Sequence, residues 1–196
     1  MMERLSLEHS GILDFDPNFL PGQEADQLMA FLSSNVSWEQ KFYKYGGKQV
    51  AQPRLTAWYA DTPKLAYSYS GLTQVVQPWI PELSDLKKKV EAATGVPYNS
   101  VLLNFYRDGK DSVGLHADDE RELGRNPNIA SVSLGATRDF ILVRNGAPEI
   151  TLNYQLSHGS LLVMSGTTQT HWKHQVPKDY SLKEGRINLT FRTIHV

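Results

Sequence analysis

The spacing of hydrophobic and polar positions divides the chain into a helical first part and a strand-rich second part. In PGQEADQLMAFLSSNV, beginning at Pro21, the apolar residues Ala25, Leu28, Met29, Phe31 and Leu32 recur at helical spacing, which predicts a short amphipathic helix. WIPELSDLKKKVEAATG sets Leu83, Leu86, Val90 and Ala93 on one face and ends on Gly95, so a second helix is predicted there. Between them, Trp38 to Asp61 is aromatic and basic and reads as two strand-like arms around a Gly46-Gly47 turn. YSYSG, Tyr67 to Gly71, is a short extended piece. After Gly95 the period falls to two. SVLLNFY, ASVSLG, RDFILVR, EITLNYQL, SLLVMSG and RINLTFRTIHV are short β-rich runs parted by Gly, Asn-Gly, Pro and His-Gly turns. Such spacing predicts a sandwich or barrel rather than a βαβ fold.

No repeat or linker interrupts the chain, so one domain over residues 1–196 is expected. Residues 1–95 form an N-terminal α/β recognition region and residues 96–196 an all-β core, the part expected to carry a buried site. Hydrophobic residues at 40% and charged residues at 21% are ordinary globular values. The net charge of −1 excludes a global basic field, though not a local basic groove. The absence of cysteine excludes disulfides, iron–sulfur clusters and cysteine-ligated zinc, so any metal must rest on histidine and carboxylate. MMERLSLEHS carries no secretory pattern and no stretch approaches the roughly 20 apolar residues of a membrane span. A cytoplasmic protein without membrane contact is expected.

The densest chemistry lies in GLHADDERELG, Gly114 to Gly124. If His116-Ala117-Asp118 is extended, the imidazole and the carboxylate face the same way. A third ligand is offered by THWKHQVP, where His171 and His174 are three apart. In a strand they face opposite sides, so one of them can join, and periodicity does not choose between them. Two histidines and a carboxylate suit non-haem iron with open positions; zinc hydrolysis is the competing use. RINLTFR alternates cleanly, with Arg186, Asn188, Thr190 and Arg192 on one face and Ile187, Leu189 and Phe191 on the other. A surface strand reads the same way. Two inward arginines, however, suit a short dicarboxylate, which the planar guanidinium grips through two hydrogen bonds.

HADDE, HWKH and RINLTFR, in that order and with NFYRDG upstream, resemble the AlkB family of Fe(II)- and 2-oxoglutarate-dependent dioxygenases, nearest its animal DNA-repair branch. The resemblance covers roughly Tyr45 to Arg192. It implies an α+β protein with a double-stranded β-helix (jelly-roll) core. It places the iron ligands on His116, Asp118 and His174, and the 2-oxoglutarate contacts on Asn104, Tyr106, Arg186, Asn188 and Arg192. It leaves His171 and His158 outside the ligand set. The implied reaction spends oxygen and 2-oxoglutarate, releases succinate and carbon dioxide, and hydroxylates a methyl group on a base nitrogen. The product then collapses to formaldehyde and the restored base.

Such a reaction needs a base taken out of its stack. Tyr67 and Tyr69 are the candidate stacking clamp. Glu120 beside Asp118 is a candidate partner for cationic 1-methyladenine or 3-methylcytosine. KYGGKQVAQPR resembles the family's duplex-probing loop, with Tyr45 as a wedge and Arg54 as a phosphate or base-gap contact. Lys41, Lys44, Lys48 and Arg54 would make that face locally basic. The expected substrate is alkylated DNA, single- or double-stranded, acted on by a monomer. Methylated RNA is the alternative substrate, and a non-catalytic cupin-like metal or nucleic-acid binding module is the alternative class.

Overall fold

A computed structural model describes residues 2–195 except 66, 67, 70, 71 and 74, and describes residues 45, 68, 69, 72 and 73 through their backbone alone. The first elements are β1 (Glu3–Ser6), β2 (Gly11–Asp16) and α1 (Gly22–Asn35). A long hairpin follows, β3 (Glu39–Tyr45) and β4 (Lys48–Ala60), turning at Gly46-Gly47 as the sequence predicts. Three two-residue strands, β5 (Ser68–Tyr69), β6 (Leu72–Thr73) and β7 (Val76–Gln77), lead to α2 (Pro81–Thr94). Next come β8 (Ser100–Tyr106), β9 (Val113–His116), β10 (Ile129–Gly135) and β11 (Arg138–Arg144). The described elements end with β12 (Ala147–Leu156), β13 (Leu161–Gly166), the one-turn helix α3 (Thr168–His171), β14 (Trp172–Val176) and β15 (Arg186–Arg192). α2 stops where expected, because Gly95 adopts φ +71° and its N–H closes on the Glu91 carbonyl.

Two antiparallel sheets make the double-stranded β-helix. The larger runs β1-β2-β13-β10-β15-β8-β4-β3, with β7 joined to β4; the smaller runs β12-β11-β14-β9. The period-two pattern sorts side chains between two cores. Val101, Leu103, Ile187, Leu189 and Phe191 face α1 and α2, meeting Ala25, Leu32, Leu83, Leu86 and Val90. Leu102 and Tyr106 face the smaller sheet, meeting Phe140, Leu142, Trp172 and Val176. Each such aliphatic side chain contributes about 1.5–3 kcal/mol by leaving water, so the register of β8 and β15 is fixed from both sides. Their polar residues are thereby forced into the space between the sheets.

The larger sheet crosses the boundary expected at residue 95. β2 pairs with β13 and β4 with β8, so strands from the N-terminal region are built into the larger core sheet. Local pattern did not reveal this, because GILDFD mixes buried and polar positions and pairs with a strand about 150 residues away. α3 was also unexpected. TQTH reads as the start of the strand that carries His174, yet it coils for one turn because Thr168 is held by Ile12 and Ser165. Where β10 and β15 meet, Gly135 has φ +87° and a Cβ there would lie 2.3 Å from the Gly185 carbonyl. That close approach sets the backbone from which Arg186 points inward.

Candidate active site

β9 is the edge of the smaller sheet and lies against β14 with His116 opposite His174. Their rings are 4.4 Å apart, and Phe140 stacks on His174 at 5.0 Å. The His116 Nδ1 lies 2.8 Å from the Gly114 carbonyl, which can only accept, so the proton sits on Nδ1 and the Nε2 lone pair is left for a metal. Asp118 reaches the same point by a different route from the expected extended alternation, because β9 ends at His116. Its backbone N–H donates to Gln169 Oε1 at 2.9 Å, and its Oδ2 accepts from Arg192 Nη2 at 2.8 Å. These two bonds fix the carboxylate where strand geometry does not.

The ligating atoms of His116, Asp118 and His174 lie within 4.8 Å of one another. Asp118 is 1% exposed, and its Oδ1 has no hydrogen-bond partner among the described residues while standing 3.7 Å from His116 Nε2. A buried carboxylate oxygen without a donor is costly unless a cation completes it. Burial alone would raise the Asp118 pKa, but Arg192 and then the two histidines outweigh it and hold it at about 2. Burial lowers His174 to about 3 and also lowers His116. One ionised carboxylate and two neutral imidazoles are the donor set a divalent iron requires. His171 lies elsewhere, stacked on His9 at 4.6 Å, and His158 accepts the Gly135 N–H in a turn.

Behind the triad lies a small cavity lined by Asn104, Tyr106, Arg186, Asn188, Thr190 and Arg192, among others. The inward face of β15 is therefore the one its alternation marks. Arg186 is 1% exposed, donates from Nη2 to Ser133 at 2.9 Å, and has no partner for Nε or Nη1 among the described residues. Its burial lowers the pKa to about 10, with Tyr106 opposing the fall. A buried guanidinium with N–H groups left over beyond its bond to Ser133 fits an anion such as a carboxylate. Arg192 is occupied differently, since its guanidinium pairs with Asp118 of the triad. Asn188 also spends its amide within the protein, on Ser131, Val132 and Thr190. Asn104 accepts from Arg54 Nε at 2.8 Å.

The Arg54 side chain is 5% exposed, bonded to Asn104 and reaching the Ser112 carbonyl, so it braces the cavity wall while also lining the groove that leads to His116. Glu120 is half-buried with no partner for Oε2 among the described residues; burial and the Asp118 charge raise its pKa. Tyr67 lies outside the described residues. Tyr69 is placed by its backbone in β5 opposite Leu72, and Tyr45 at the tip of β3 opposite Lys48. An open groove runs from Tyr43 and Lys44 past Lys178 and Leu115 to His116. Gln169 and Arg138 were not singled out from sequence, because neither a periodic pattern nor a motif marks them.

A β-helix with two histidines and one carboxylate at its mouth is an arrangement that suits non-haem iron with open positions. Residues 13–192 match the profile of the 2OG-Fe(II) oxygenase superfamily. Human alpha-ketoglutarate-dependent dioxygenase alkB homolog 3 is 45% identical over 188 residues, covering 91% of this chain and 65% of the relative. The DNA oxidative demethylase ALKBH2 of Mus musculus is 42% identical over 179 residues, covering 88% of this chain and 73% of that protein. The solved structure of OsALKBH1 shares the fold at a TM-score of 0.65 and 19% identity, covering 97% of this chain and 100% of that one. The chain belongs to the AlkB family of 2OG-Fe(II) oxygenases. It spans 63% to 65% of the length of the alkB homolog 3 proteins it matches.

Proposed function

We propose that the chain is an oxidative demethylase of N-alkylated bases in DNA, with 1-methyladenine and 3-methylcytosine as its substrates. The observation that carries this reading is that the His116-Asp118-His174 group and the buried guanidinium of Arg186 line the same cavity. His116, Asp118 and His174 would hold Fe(II). Arg186 would grip the far carboxylate of 2-oxoglutarate, with Tyr106 packed beneath it and Asn104 and Asn188 lining the approach. When bound, Fe(II) with oxygen and 2-oxoglutarate supplies hydroxylation of the methyl group, giving succinate and carbon dioxide.

The chain's own residues do the rest. Arg192 keeps the Asp118 carboxylate ionised and oriented, and the stacked Phe140 excludes water from one side of His174. The groove from Tyr43 and Lys44 to His116 offers a nucleic-acid strand a path to the metal ligands. Glu120 and Asp119 add negative charge beside the place where a cationic methylated base would arrive. Tyr69 and Tyr67 would stack on that base, and Tyr45 at the hairpin tip would wedge a duplex. Every group in this scheme belongs to one chain, so a monomer suffices. Relatives bearing the name DNA oxidative demethylase support the choice of substrate.

The test is succinate and formaldehyde release on matched panels of methylated DNA and RNA oligonucleotides. Coupled release on DNA is expected. Release confined to RNA would replace the substrate, and 2-oxoglutarate consumption without demethylation of either would leave an oxygenase acting on something else.

A further inference from the structure

Arg138, the first residue of β11, lies outside the cavity lining yet is 3% exposed. Its Nη2 donates to the carbonyls of Asp111 at 2.9 Å and Pro177 at 2.5 Å, and its Nη1 reaches the Asp108 carbonyl at 3.4 Å. Its Nε has no partner, and the side chain forms no ion pair, among the described residues. Two carboxylates feel its charge: Asp111, already held by the backbone N–H, Nε and Nη2 of Arg107, and Asp179, already held by Ser181. Arg138 is thus a buried cation bonded to neutral carbonyls. Keeping a charge out of water on such terms is costly, so its position asks for an anion nearby.

The neighbour that explains it is Tyr106. The Arg138 guanidinium lies 5.6 Å from the centre of that ring, and the Arg186 guanidinium lies 5.3 Å from the same ring. Two buried cations therefore lie against one tyrosine. Arg186 begins β15 opposite Tyr106 of β8, and the Ala136 N–H bonds the Gly185 carbonyl, so the turn leading to β11 packs on the residue before Arg186. The two charges repel, and burial together with Arg138 lowers the Arg186 pKa. An anion at Arg186 would relieve that repulsion; a neutral group there would not.

We infer that Arg138 is a positioning and selectivity residue: a second positive charge, set against Tyr106, that favours a co-substrate whose far end is a carboxylate. This rests on the 2-oxoglutarate reading of the cavity. Arg138 acts through Tyr106 and Arg186 and touches no substrate. A unit charge about 10 Å from a carboxylate at an effective dielectric constant of about 20 changes affinity by about tenfold.

The experiment compares two keto acids with the same head, 2-oxoglutarate and 2-oxobutyrate, which lacks the distal carboxylate. Their binding to the Mn(II)-loaded protein is measured by calorimetry, with thermal melting of each variant alongside. In Arg138→Gln the preference for 2-oxoglutarate should fall about tenfold, while 2-oxobutyrate affinity stays within about twofold. Arg138→Lys keeps the charge but not the fork, so it should melt lower and hold the preference. An equal loss for both acids would show a structural brace only and overturn the inference. So would a preference unchanged in Arg138→Gln. If Arg138→Gln does not fold, Arg138→Lys still decides, because a lost preference in a variant that keeps the charge contradicts the electrostatic role. A parent protein that binds neither acid would refute the co-substrate reading itself, and this inference with it.

Discussion

Arg192 and Asp118 form a buried ion pair, Nη2 to Oδ2 at 2.8 Å, with side chains 3% and 1% exposed. The last residue of the central strand thus holds the carboxylate of the metal triad. Arg192→Met should leave that carboxylate without its cation and cost about 3–5 kcal/mol of stability, the range for breaking a buried pair from one side. Chemical denaturation measures the loss. Co(II) titration followed by absorbance should show weaker metal binding in the same variant, and unchanged metal affinity would disprove the orienting role.

Arg186 and Ile187 are adjacent but face opposite cores, so their variants should separate cleanly. Arg186→Ala should weaken 2-oxoglutarate binding by about 2–5 kcal/mol, the range for removing one partner of a buried charged pair. Ile187→Ala should instead lower stability by about 2–5 kcal/mol through the cavity it leaves. Calorimetric binding and denaturant melts of both variants check this. A 2-oxoglutarate affinity unaffected by Arg186→Ala removes the dicarboxylate assignment.

The two histidines of THWKH part company in the same way. His174→Ala should abolish stoichiometric Co(II) binding, because it removes one of three ligands. His171→Ala should retain it, because that ring stacks on His9 away from the triad. The reverse result would transfer the ligand role to His171.

Asp111 gives a stability dependence on pH. Burial would raise its pKa, but the hydrogen bonds from Arg107 overcome that and lower it. A carboxylate with a depressed folded-state pKa contributes stability that is fully present above its unfolded value of about 3.9 and is lost as pH falls through the folded value. Asp111→Asn should therefore cost about 1–2 kcal/mol at neutral pH, discounted because Arg107 is half exposed. The deficit should shrink in acid. Melting curves from neutral pH downward test it, and a constant deficit would assign the effect to packing.

The residues that the sequence marked best were those under two constraints at once. β15 must bury Ile187, Leu189 and Phe191 against helices, so its polar alternates had only the inter-sheet space to enter. Gly46-Gly47 and Gly95 announced a hairpin and a helix end through backbone conformations that side chains disfavour. Where a contact joins distant segments, local pattern was silent. β2 joins β13, Gln169 holds Asp118, and Arg54 turns inward to Asn104, each across 50 residues or more. Asp118 shows the intermediate case: the i,i+2 spacing pointed to the right residue, but tertiary bonds rather than strand geometry aim it.

β15 is the hub of the larger sheet, filling the gap between β10 and β8, although every other described strand precedes it in the chain. As the polypeptide leaves the ribosome, those two strands exist as unpaired edges until residues 186–192 arrive. The nascent protein therefore passes through a stage in which its most apolar surfaces are open to mispairing. Closure depends on contacts of long sequence separation, which form slowly. Because the closing strand also carries Arg192, the Asp118 carboxylate gains its cation only when β15 joins the sheet, so the triad is set in place by the same step that closes the fold.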